Sequence, residues 1–162
     1  MNHAAFGVIN QVRMTSTRLP GKALKTVLNK SLLQYQIERV RRSKLIGDLI
    51  VATTVNESGQ PIVELYIRLG VKVFHGSDLD VLGRYVEPVW LAPSQRYIRI
   101  TSDYPFLDPA VIYICMPQYL GGNYEYLSNS ELFPNGINVE IFSERMVGEA
   151  VSKGHFFMRE NI

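Results

Sequence analysis

Four short apolar runs, at 6–9, 49–53, 71–74 and 97–101, constrain this chain more than any other feature. Each is rich in Val, Ile or Phe, and each is too short to make a helix. The runs at 6–9 and 49–53 are continuous rather than alternating, which marks strands buried on both faces. Helical patterns separate them. Ser31 stands as an N-cap before Leu33, Ile37 and Val40, and Glu38 is spaced to pair with Arg42 four residues on. Arg39, Arg41 and Arg42 are expected mainly on a solvated face. Pro61 opens a second helix, with Ile62, Leu65 and Leu69 on its apolar side and Gly70 as its stop. Ser77 and Asp80 resemble a capping box, with Arg84 one turn beyond Asp80. Pro88 is expected to end or kink that third helix. Asp108-Pro109 starts a fourth, closed by Gly121-Gly122. Strands are expected at 124–128 and 137–142, and Ser143 caps a last helix containing Met146, Val147 and Ala150. The segment 23–28 reads as an extended passage closed by a turn at Asn29-Lys30. Strand and helix alternate over the first hundred residues, so the expected fold is α/β: a mainly parallel sheet with helices on both faces.

Such sheets bind ligands beyond the carboxyl ends of their strands. Four loops fall there: 13–22, Thr53-Thr54, 75–77 and 102–105. The first is the most informative. Arg13, Arg18 and Lys22 lie in one loop with small hydroxyl residues and a Pro20-Gly21 turn. Arginine offers a planar fork for phosphate oxygens and lysine a compact charge, while Gly21 lets the backbone approach a ligand. A polyphosphate suits this loop; a solvated basic connection is the other reading. The loop is not a Walker A motif, because Ser16 holds the first glycine position and Ala23 follows Lys22. No Gly-x-Gly-x-x-Gly occurs.

The 162 residues are expected to form one domain, 1–162. A net charge of +2 leaves no basic footprint for nucleic acid. The single cysteine, Cys115, excludes an internal disulfide framework and sits in an apolar run as a core filler. No apolar run is long enough to span a membrane, and the amino terminus has no signal-peptide pattern, so the expected compartment is the cytoplasm.

The order of motifs along nearly the whole chain resembles the cytidylyltransferase family typified by spore coat polysaccharide biosynthesis protein F. It is more distantly similar to synthetases of CMP-activated acidic sugars. The stretches that carry the resemblance are Gln11-x-Arg13-Met14-x-Ser16-Thr17-Arg18-Leu19-Pro20-Gly21-Lys22, Ile37-Glu38-Arg39-Val40, Ile50-Val51-Ala52-Thr53 and Leu69-Gly70-Val71-Lys72-Val73-Phe74-x-Gly76-Ser77. They continue with Asp80-Val81-Leu82-Gly83-Arg84-Tyr85, Arg99-Ile100-Thr101-x-Asp103-x-Pro105, Asp108-Pro109 and Gly136-x-x-Val139-Glu140-x-Phe142-Ser143. The resemblance implies a Rossmann-like nucleotide-diphospho-sugar transferase fold of the GT-A type. It implies transfer of CMP from CTP to a sugar, with release of pyrophosphate. Arg13, Arg18 and Lys22 would hold the triphosphate, Arg13 and Lys22 with catalytic roles. Gln11, Thr53, Ser77 and Arg84 would contact substrate, the last three near the base or ribose. Asp103 would serve catalysis as the Mg²⁺ ligand. The implied partners are CTP, a sugar acceptor and a second copy of the chain.

The sequence departs from the family at Thr15 and Ser102, where glycines are usual, at Tyr104, and at Asn138, where an aspartate is common. The family also continues past the equivalent of Ile162 into a segment with a threonine/aspartate motif that supplies a second metal carboxylate, so the fold is expected to be C-terminally truncated. These departures keep a second expectation open: a weakly active or inactive nucleotide-binding homologue that works through a partner chain. A third, a glycosyltransferase of the same fold, rests on the Asp78-x-Asp80 spacing.

Overall fold

The computed structural model describes residues 6–12, 19, 21–54, 60–76, 83–91 and 94–153, with backbone only at 54, 83–85 and 153. Its strands are β1 (Phe6–Gln11), β2 (Thr26–Val27), β3 (Lys30–Ser31), β4 (Ile46–Thr54), β5 (Lys72–Gly76), β6 (Arg96–Thr101), β7 (Tyr126–Ser128) and β8 (Glu140–Ser143). Its helices are α1 (Leu32–Val40), α2 (Gln60–Arg68), α3 (Gly83–Leu91), α4 (Pro109–Gly121) and α5 (Glu144–Lys153). Six strands form one sheet in the order β5-β4-β1-β6-β8-β7. The first four are parallel, and β8 runs antiparallel to both of its neighbours.

The two-residue periodicity of strands sorts β1 between the faces. Phe6 and Val8 join a large core with Leu33 and Ile37 of α1, Tyr66 of α2 and Ile112 of α4. Ile9 points the other way, into a smaller core with Val86 and Val89 of α3, Phe142 of β8 and Val147 of α5. The expected helices on both faces are therefore present, because continuous apolar strands need cover on each side. Cys115 is buried in the large core, and burial pushes its thiol up.

The expected caps form. Ser31 accepts from the Gln34 amide at 3.1 Å, Asp108 from the Ala110 amide at 2.9 Å, and Ser143 from the Met146 amide at 3.0 Å. Each satisfies an amide that the first helical turn leaves unpaired. Gly70 follows α2 with φ 62, as a helix-ending residue with a left-handed backbone should.

Several local expectations are corrected. The passage 23–28 is a 3-10 turn, Lys22–Leu24, followed by a two-strand ribbon of β2 and β3. The ribbon's turn sits at Leu28 and Asn29, both with positive φ, a hairpin geometry that takes over the chain reversal expected one residue later. Glu38 pairs with Lys30 at 2.8 Å rather than with Arg42, because the ribbon brings that lysine against α1. Arg41 and Arg42 are exposed, as expected, and Arg41 also donates to the carbonyls of Leu69 and Gly70 at 2.8 and 3.0 Å, satisfying the carboxyl end of α2. Arg39 is half-buried and donates to Leu107 O at 2.9 Å. Pro88 does not end α3, which runs on to Leu91. The backbone bond lost to Pro88 is the one to the carbonyl of residue 84, four positions earlier. The expected Ser77–Asp80 cap lies outside the described residues.

Tyr97 closes the smaller core. Its ring stacks on Phe142 with centroids 5.8 Å apart, and its hydroxyl donates to Val89 O at 2.9 Å. Gly7 makes room for that ring: a Cβ there would lie 2.9 Å from two ring carbons. Gly7→Val should therefore destabilise the protein by roughly 1–3 kcal/mol through overpacking. A urea unfolding midpoint equal to that of the unsubstituted chain would contradict this packing.

Candidate active site

The sheet order contains a switch point. From β1 the chain steps to β4 and then β5 on one side, then crosses back to β6 on the other side of β1. Parallel sheets leave a crevice there, outside the carboxyl ends of the two strands that part company. Here those strands are β1 and β6. Their carboxyl ends lie side by side, with Gln11 paired to Thr101 and the Ser102 amide donating to Gln11 O at 3.0 Å.

Two segments leave these ends and meet again. The loop after β1 returns to the described residues through Leu19 and Gly21, whose left-handed backbone (φ 65) turns the chain into the 3-10 helix. Ala23 is buried against α1, and that anchors Lys22 at the mouth of the crevice. The turn after β6 places Asp103 opposite. Lys22 Nζ lies 2.6 Å from Asp103 Oδ2, with the side chains 28% and 43% exposed. An ion pair this exposed contributes little stability, so its importance is positional. It puts one cation and one hard carboxylate at the sheet's switch point.

Asp103 is held from beneath. Gln36 of α1, fully buried, donates to Thr101 O at 2.6 Å and Tyr104 O at 3.1 Å, and accepts from Asn10 Nδ2 at 2.9 Å. Gln11 has a different neighbour. Its Oε1 accepts from Arg99 at 3.1 Å, and Arg99 pairs with Glu140 of β8 at 2.6 Å with the two side chains 9% and 19% exposed. Burial, followed by the negative charge of Glu140, pushes the Tyr126 hydroxyl at the sheet edge up to about 12. A polar line thus runs from Gln11 across β6 and β8 towards β7.

Of the expected site residues, the structure brings Gln11, Lys22 and Asp103 to one end of two adjacent strands. Thr53 lies at the carboxyl end of β4, paired with His75 in the sheet. It is fully buried, and its Oγ1 has no hydrogen-bond partner. Arg13, Arg18 and Ser77 lie outside the described residues, as do Asp78 and Asp80. Arg84 falls in the first turn of α3. Sequence reasoning passed over Gln36 and the Arg99–Glu140 pair. The signals were present: a glutamine within the apolar stripe Leu33, Ile37, Val40, and a charge inside the buried run at 97–101.

An open cleft of about 540 Å³ lies elsewhere, lined by Gln95, Arg96, Tyr119, Tyr124, Glu125 and Arg145. It opens at the amino end of β6, away from Asp103, and Arg145 is already engaged with Glu125. The end of a parallel sheet that binds ligands is the opposite one.

The profile of the family described as Cytidylyltransferase matches residues 8–155. The chain belongs to the cytidylyltransferase family. It is 33% identical over 91% of its length to spore coat polysaccharide biosynthesis protein SpsF of Bacillus subtilis, covering 62% of that protein. A solved cytidylyltransferase of Leptospira borgpetersenii superposes with a TM-score of 0.85 at 29% identity, over 93% of this chain and 65% of that one. A CMP:2-keto-3-deoxy-manno-octonic acid synthetase complexed with CTP superposes with a TM-score of 0.72 at 16% identity, over 94% of this chain and 80% of that one. At that identity the likeness shows the nucleotide-diphospho-sugar transferase fold alone. The chain spans less than two thirds of the curated relatives named first among its matches.

The buried ion pair gives a test of the site's floor. Removing one partner of such a pair strands the other charge, at a cost of about 3–5 kcal/mol, whereas replacing both is far cheaper. Arg99→Met should destabilise by about that amount, and Arg99→Met with Glu140→Leu should recover more than half of it. Equal losses for the single and double variants in urea unfolding would contradict the pairing.

Proposed function

We propose that this chain performs cytidylyl transfer: a sugar hydroxyl takes CMP from CTP, and pyrophosphate leaves. The observation that carries the reading is the meeting of Lys22 and Asp103 at the switch point between β1 and β6, in a chain of this family. In the reaction the sugar oxygen bonds to the α-phosphorus and its proton passes to solvent. The bond from the α-phosphorus to the bridging oxygen of the β-phosphate breaks, and its electrons remain on pyrophosphate. Charge therefore grows on the leaving group. Lys22, with Arg13 and Arg18 from the same loop, would hold the β- and γ-phosphates and stabilise that charge without reorganising. The chain's contribution is positioning and neutralisation rather than covalent chemistry.

A divalent cation fits the donor set. Asp103 offers a half-exposed hard oxygen. Mg²⁺ is commonly held by one or two carboxylates, with phosphate oxygens and waters completing the shell. Asp103 would hold it, and it would supply charge neutralisation at the phosphates. When CTP and the ion enter, Lys22 would leave Asp103 for phosphate oxygen. Among the described residues no helix is long and apolar enough to cross a membrane; the cytoplasm is the compartment, and a homodimer the assembly, that we propose to test.

A second reading, nucleotide binding without turnover, is favoured by Asn138. It is buried and neutral where the family commonly carries an acid, and its Oδ1 has no partner. One experiment separates the two: calorimetry with CTP with and without Mg²⁺, followed by pyrophosphate release with acidic and neutral sugars. Mg²⁺-dependent CTP binding with release for one sugar class supports transfer. Binding without release for any sugar supports the second reading, and no CTP binding overturns both.

The phosphate roles predict a graded loss. Arg18→Ala and Lys22→Met should each weaken CTP about tenfold or more, the size of one charge-assisted contact, and CMP much less. Equal weakening of CTP and CMP would contradict contacts to the outer phosphates.

A further inference from the structure

We infer that Gln36 is a positioning residue for this site: from the buried face of α1 it fixes the turn that presents Asp103. The inference rests on the reading of Asp103 as the carboxylate of a CTP·Mg²⁺ site.

Gln36 occupies a core position. Leu33, Ile37 and Val40 share its stripe on α1, and all four are buried. An amide in that setting is costly unless its hydrogen bonds are made, and an apolar side chain would suit the core without them. Gln36 makes three. Both donor bonds go to the turn, to Thr101 O and Tyr104 O, on either side of Asp103. The acceptor bond goes to Asn10 on β1, beside the start of the cationic loop. One helical turn on, Arg39 donates to Leu107 O at 2.9 Å. The passage from 101 to 107 is therefore pinned at three carbonyls by two side chains of one helix. Within the passage the backbone adds two bonds, Tyr104 N to Thr101 O at 3.3 Å and Leu107 N to Tyr104 O at 3.1 Å, the first of them long.

The same helix holds the other half of the site. At its start the Leu32 amide donates to Lys25 O at 2.9 Å, immediately after the 3-10 turn that carries Lys22. Ala23 from that turn packs in the core with Leu33 and Ile37. So α1 links the two segments whose tips meet as Lys22 and Asp103. A carboxylate on a strand-end turn is held only as well as the turn is, and displacement by ~1 Å at a site of this kind can cost about a hundredfold.

The test uses the full chain and three variants: Gln36→Met, which keeps length and loses the amide, Arg39→Gln, and Asp103→Asn. Hydrogen–deuterium exchange without ligand reads the turn directly. In Gln36→Met, amides of 101–107 should exchange about tenfold faster or more, while those of β1 and α1 stay unchanged. Calorimetry with CTP reads the consequence. The gain in affinity on adding Mg²⁺ should fall about tenfold in Gln36→Met, as in Asp103→Asn, while metal-free CTP affinity stays within about twofold. A residue that only filled the core would lower stability without singling out the Mg²⁺-dependent gain. Unchanged exchange at 101–107 overturns the inference, as does a full Mg²⁺ gain in Gln36→Met when Asp103→Asn has lost it. If Gln36→Met fails to fold, Arg39→Gln decides, with faster exchange at 105–107 expected and unchanged exchange counting against the clamp. If the unsubstituted chain binds no CTP, the nucleotide reading falls, and the exchange result still decides whether Gln36 fixes the turn.

Discussion

The contact between Lys22 and Asp103 is the point on which the site depends, and it is weak by itself. Both side chains are partly exposed, and a pair in that setting contributes at most about 1 kcal/mol. Neither residue holds the fold. The fold holds them: Ala23 buries itself beside Lys22, and Gln36 grips the carbonyls on either side of Asp103. Weak mutual attraction suits the proposed binding site, since a triphosphate and its counter-ion would replace it at small cost. A strong, desolvated pair would have to be broken first.

The sheet explains why these two residues can meet at all. They are 81 positions apart in the chain, yet each follows a strand that lies beside the other. That neighbourhood is created by the crossover from β5 back to β6. The same geometry puts the polar residues Asn10 and Gln11 at the end of β1, on opposite faces. Asn10 turns into the large core, to Gln36 and Tyr66. Gln11 turns to Arg99 and, through it, to Glu140. Both faces of one strand end thus carry polar networks under the crevice, and each buried polar group is retained there at a cost that apolar packing would avoid.

Much of this was legible in the residues. Strand and helix order came from short apolar runs and from caps: Ser31, Asp108-Pro109, Gly70 and Ser143 each act within a few residues, where sequence spacing determines geometry. The candidate site was half legible. Lys22 and Asp103 stand in the sequence as loop residues at strand ends, and the structure joins them. What escaped were interactions whose partners are remote. Gln36 reaches residues 26, 65 and 68 positions away, and Arg99 finds Glu140 41 positions on. Glu38 illustrates the same point on a small scale. Helical spacing offered Arg42, but the ribbon of β2 and β3 brought Lys30 closer, and tertiary packing decided the pair. Pro88 was expected to end or kink its helix, and of these the ending is overturned, since α3 runs on to Leu91.

The most direct measurement is a crystal structure of the chain grown with CTP and Mn²⁺, with the ion located by its anomalous signal. The account predicts the ion within about 2.3 Å of an Asp103 carboxylate oxygen. Lys22 Nζ would have moved onto the β- or γ-phosphate, and the 101–104 turn would still be held by Gln36. A nucleotide seated in the cleft by Arg96 and Arg145, or bound with Asp103 still paired to Lys22 and no ion beside it, would contradict the account.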